Sequence, residues 1–107
     1  MKQYQIKNLL RTMGFSIDQP WEYDRGGMGG GLFTPILRDL SQPRIGGYHP
    51  IIADLESPTH QQDTMKIAIR TAALATIEQR LATHHQQLQE ALEWPLEIYR
   101  VSDQNGT

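Results

Sequence analysis

Four residues in the middle of the chain have types and spacing suited to chemistry: Asp54, Glu56, His60 and Asp63. Carboxylates two apart on a strand share a face. The following His and Asp fall where the strand is expected to give way to a helix. Hard cations such as Mg²⁺ bind convergent carboxylate oxygens of this kind, so a metal-dependent hydrolase using Asp54, Glu56 and His60 is one reading. Acidic side chains at a strand end also serve, fully solvated, to complement a helix N-terminus. The carboxylate-x-lysine spacing of many metal-dependent nucleases is missing, because Lys66 follows Asp63 by three positions. His84 and His85 are adjacent and, on a helix, point ~100° apart. His49 stands alone beside Pro50, and Ser16, Ser41, Ser57 and Ser102 lie in turn, cap or tail contexts without a nucleophile elbow. We expect no catalytic residue, no resident metal and no cofactor.

Glycine occupies five of the six positions from Gly26 to Gly31. The run matches neither the dinucleotide fingerprint nor the phosphate loop. It also joins two expected strands, so no helix dipole meets a phosphate there. The expectation is a mobile hairpin tip, with threading into a partner's groove as its functional alternative.

Basic residues offer a second chemistry. Lys66 and Arg70, one helical turn apart and followed by Ala72 and Ala73, are expected at the start of a long helix; Lys7 and Arg11 lie on a first one. With the α-β-β-β-α order of elements, this arrangement resembles the double-stranded RNA-binding domain over roughly Gln3 to Leu81. The resemblance implies shape-selective binding to a duplex through phosphate contacts. The family's lysine cluster is represented by Lys66 and Arg70 alone, Met65 stands where a further lysine would help, and glycines replace its Gly-Pro-x-His loop.

Periodicity supplies the elements. Ile6, Leu9, Leu10 and Met13 mark one face of a helix over residues 3–13, which Gly14 is placed to close in a left-handed conformation. Phe15–Asp24, Leu32–Leu40 and Tyr48–Glu56 read as strands. Pro35 puts the second of these at an edge or breaks it, and Gln42–Gly47 forms a turn. From Thr64 to Leu92 the pattern reads as one long helix, capped by Thr59 with Gln62 or by Asp63. Met65, Ile69, Ala72 and Ala73 form one stripe on it. Ile77, Leu81, Leu88 and Leu92 form another, rotated by roughly a third of a turn. Such a helix would span ~44 Å if straight, so it bends near Thr83-His84-His85 or protrudes. Trp94–Val101 reads as a last strand. Trp21, Tyr23, Phe33, Tyr48, Trp94 and Tyr99 are expected mostly in the core, with base stacking on an exposed sheet face as the alternative.

The expected fold is therefore α+β: a three- or four-stranded antiparallel sheet packed on an N-terminal helix and one long C-terminal helix. Residues 1–101 form a single domain and 102–107 a polar tail. The 107-residue chain is 38% apolar and 21% charged, carries a net charge of −2 and contains no cysteine. Those values suit one globular domain and exclude disulfides and thiolate zinc sites. The first residues lack the apolar core of a signal peptide and no stretch of ~20 apolar residues occurs, so a cytoplasmic protein without a membrane partner is expected. The leading functional expectation is a non-enzymatic protein that binds another protein or a second copy of itself through Ile77, Leu81, Leu88 and Leu92. Small chains of this make-up are often accessory or inhibitory factors of mobile elements, or regulators. A duplex nucleic-acid module using Lys7, Arg11, Lys66 and Arg70 is the alternative.

Overall fold

A computed structural model describes residues 3–18, 35–58 and 63–101. Helix α1, Gln3–Thr12, leads into strand β1, Phe15–Asp18; then come β2, Ile36–Asp39, β3, Ile51–Glu56, and β4, Met65–Ile69. Helices α2, Thr76–Thr83, and α3, His85–Leu92, then carry the chain to β5, Leu96–Arg100. The class is α+β, with one five-stranded sheet in the order β1-β2-β3-β4-β5. The first four strands are an antiparallel meander, while β5 lies parallel to β4. The sheet is thus mixed, where a purely antiparallel one was expected. A parallel neighbour requires a crossover, and α2 with α3 supplies it.

All three helices pack on one face of this sheet. Ile6, Leu10 and Met13 of the first helical segment meet Phe15, Leu37 and Leu55 of the strands in a single core. Gly14 closes α1 as its sequence position implies, with φ of +92° and a hydrogen bond from its N–H to the Arg11 carbonyl.

The long helix from Thr64 is corrected. Met65–Ile69 is a strand, flanked on both sides by others, and α2 begins only at Thr76. Met65, Ile67 and Ile69 alternate as on a strand, while Met65, Ala68 and Ile69 also fall at helical spacing, and so short a segment fits either period. Backbone bonding to β3 and β5 decides the matter, because both edges of the segment are satisfied as a strand. Asp63 is consequently no helix cap, and the α-β-β-β-α order that resembled the double-stranded RNA-binding domain is interrupted. Thr59, His60 and Gln62 lie outside the described residues, as do Trp21, Tyr23, the 26–31 glycine run and Phe33.

The break at Thr83-His84-His85 is present. His84 has φ −108° and ψ 21°, its ring Nδ1 lies 3.1 Å from the Arg80 carbonyl, and α3 restarts beyond it. The break falls between Leu81 and Leu88, and the residues on both sides of it face the same core. Ile77, Leu81, Leu88 and Leu92 are all buried in the chain's own core. They leave no uncovered strip for a partner, which corrects their expected role. Pro35 precedes β2, an interior strand rather than an edge, and its carbonyl accepts from the Leu55 N–H.

Candidate functional site

Among the described residues the buried charged side chain is Asp39, at the end of β2. Leu37 and Asp39 share the helix-covered face of the strand, so the carboxylate is carried into the core and is 0% exposed. It is held on every side. Arg80, from α2, approaches Oδ1 at 3.1 Å through one terminal nitrogen and both oxygens at 3.2 Å through the other. The Ser41 N–H and hydroxyl donate to Oδ1 at 3.0 and 2.7 Å, and the Gln42 side-chain amide donates to Oδ2 at 2.7 Å. Burial alone would raise this carboxyl, but the hydrogen bonds from Arg80, Gln42 and Ser41 outweigh it and bring the pKa down to about 2.

Arg80 is itself fastened. Its guanidinium donates to the Met13 and Gly14 carbonyls and lies over the Phe15 ring at 4.3 Å. A Cβ at residue 14 would force this guanidinium to shift, and the positive φ by itself favours glycine there.

This buried pair anchors the connection between β2 and β3. The Asp39 N–H donates to the Pro50 carbonyl, closing the base of the connection, and Arg38 donates to the His49 carbonyl. His49 Nδ1 sits 2.9 Å from the Gln42 carbonyl, so this nitrogen carries the proton, and Nε2 accepts from Arg44 Nε at 3.3 Å. At the far end Ile45 and Tyr48 exchange both backbone hydrogen bonds, at 2.7 and 3.2 Å. Gly46 and Gly47 between them have φ of +63° and +91°, the two positive values that a tight two-residue hairpin turn requires. Nothing lies near either glycine, so backbone conformation alone demands them.

The result is a braced tip with its apolar side chains outward. Ile45 is 75% and Tyr48 67% exposed. Directly paired residues share a face, so the two project together. Arg38 stands 5.2 Å from the Tyr48 ring centroid and is paired with Asp18 at 2.6 Å. Tyr4 of α1 is also exposed, as are Leu74, Trp94 and Val101, which lie outside the helices and strands.

The sheet face turned away from the helices collects the remaining expected site residues. Asp54, Glu56, Lys66 and Arg70 all lie there, but opposite charges answer one another. Arg70 pairs with Asp54 at 3.0 Å, and Lys66 stands opposite Glu56 on one side and Glu97 on the other. The Tyr99 hydroxyl donates to the Glu56 carboxylate at 3.2 Å, and its ring lies 6.0 Å from the Lys66 ammonium. Among the described residues no group of three or more His, Asp or Glu is placed to hold a metal ion. Lys7 and Arg11 are exposed on α1, on the opposite side of the sheet from Lys66 and Arg70. The four basic residues therefore do not form one surface.

Of the aromatics expected in the core, Tyr48 and Trp94 are exposed and Tyr99 is half-buried. Sequence reasoning took Gln42–Gly47 only as a turn. The signal for the tip was nonetheless present, in a Gly-Gly pair set between Ile45 and Tyr48. Asp39 and Arg80 carried no local signal. Among the described residues no helix is long and apolar enough to cross a membrane. No protein-family model matches this chain, and comparisons with curated proteins and with solved structures find no match.

Proposed function

We propose that this chain is a small non-enzymatic interaction protein, an accessory or inhibitory factor that acts by binding another protein through the 42–49 tip. One observation carries the reading: Ile45 and Tyr48 are held outward by the two backbone hydrogen bonds that they exchange across the tip. Exposing two large apolar groups on a stiff support is unfavourable for a free monomer and useful for association. A tip that is already ordered loses little conformational freedom on docking, so more of its contact energy appears as affinity. Tyrosine and arginine, both present here, are also the residue types that dominate protein interfaces.

The experiment is photo-crosslinking in the source cell from a benzoylphenylalanine placed at Tyr48, with an equally exposed control at Tyr4. A discrete protein adduct from position 48, absent from position 4 and lost on Ile45→Ser, is the expected result. Equal capture from both positions sinks the reading. A duplex nucleic-acid role gains no comparable support, since its four basic residues are split between two faces.

A further inference from the structure

We infer that the surface met by the tip is an acidic one surrounding an apolar recess, an inference that rests on the protein-binding reading above. The segment 42–50 contains Arg44 and His49 and no carboxylate, in a chain whose net charge is −2. The carboxylates nearest its base are already engaged: Asp39 is buried against Arg80, and Asp18 is paired with Arg38. Among the described residues no carboxylate pairs with Arg44, which is exposed. Its one described bond runs from Nε to His49 at 3.3 Å, a long contact that leaves both terminal nitrogens to turn elsewhere.

An apolar pair flanked by a planar, multiply donating cation matches a recess rimmed by carboxylates, which an arginine meets with two parallel hydrogen bonds. Such complementarity sets partner choice and association rate. Nucleic acid fits less well. One exposed arginine and one exposed tyrosine provide a single phosphate contact and a single stacking platform, whereas duplex or single-strand binding sums several.

The test uses the folded chain as bait for a random peptide display library, with Arg44→Glu and Ile45→Ser/Tyr48→Ser as parallel baits. Circular dichroism shows that each variant is folded. Peptides recovered on the unaltered chain are expected to place Asp or Glu around apolar residues and to lose affinity between about 50 and about 300 mM salt. Arg44→Glu is expected to weaken them about tenfold or more and to shift its own selected pool toward Lys and Arg.

Peptides that need Ile45 and Tyr48 but show no acidic bias overturn the acidic partner and leave the tip reading standing. Peptides that bind the double serine variant equally well, or no tip-dependent peptide at all, overturn both. A labelled random RNA pool retained by the unaltered chain and released by Tyr48→Ser replaces the protein partner with nucleic acid. Light scattering that shows a dimer abolished by the double serine variant makes the occupant a second copy and refutes a separate acidic partner.

Discussion

Replacing Asp39 by Asn removes one charge from the core and changes almost no volume. The carboxyl is lowered from its ordinary 3.8 to about 2, which at ~1.4 kcal/mol per pKa unit corresponds to stability on the order of 2–3 kcal/mol at neutral pH. Asn adds a second difficulty, because its NH₂ would face the donors of Arg80 and Gln42 where an acceptor now stands. The Arg80 guanidinium would remain partly buried without its counter-ion. Asp39→Asn is therefore expected to cost about 2 to 4 kcal/mol, a fall of roughly 10–20 °C in Tm for a domain of this size.

The pH dependence separates this account from simple loss of packing. A carboxyl whose folded pKa is depressed contributes stability that is complete above its unfolded value and is lost as pH falls toward the folded one. The gap between the two proteins, from urea midpoints, should be full at pH 7 and close by roughly half near about pH 3. Taking the difference cancels the other carboxylates. Backbone exchange at Ile45 and Tyr48 should also quicken in the variant under folding conditions, since Ser41 and Gln42 lose their anchor. A gap under about 0.5 kcal/mol at pH 7, or one unchanged at low pH, refutes the claim that ionised Asp39 braces this region.

Three further outcomes are expected. Leu88→Ala, which empties a core position, should destabilise by about 2–5 kcal/mol in chemical denaturation; a near-neutral result would return the helix stripe to the surface. Gly47→Ala, at φ +91°, should cost about 1 kcal/mol and broaden the amide resonances of Ile45 and Tyr48 while the rest of the spectrum holds. Burial, followed by the charge and hydrogen bond of Glu56, raises the Tyr99 phenol above its ordinary 10.0. Its share of stability is therefore present below that value and lost as pH rises through it. Tyr99→Phe should accordingly lose about 1 kcal/mol at neutral pH and less at alkaline pH, followed by thermal unfolding against pH.

The elements readable from the sequence were those specified by near neighbours. Ile6, Leu9, Leu10 and Met13 repeat at helical spacing, and Gly14 can stop a helix where few other residues can. The chain break near His84 was one of two readings of a long helical pattern, although the first stripe of that pattern, with Met65 and Ile69, belongs to a strand. Met65–Ile69 was misread because its apolar positions satisfy two periods at once, and only the strands on either side select between them. For the candidate site, the Gly46-Gly47 turn was legible. The exposure of Ile45 and Tyr48 was not, because whether an apolar side chain is covered depends on what packs above it.

By itself the sequence determined an α+β domain with one core, a first helix closed at Gly14, a strand ending at Glu56 and a turn over Gln42–Gly47. Each rests on interactions within a few residues, where spacing and backbone preference suffice. The tertiary structure decided the rest. It set β5 parallel beside β4, sank Ile77, Leu81, Leu88 and Leu92 inward, and matched the charges of Asp54, Glu56, Lys66 and Arg70 across strands. It also brought Arg80 onto Asp39 from 41 residues away, a pairing whose free energy exists only once both have been withdrawn from water by packing.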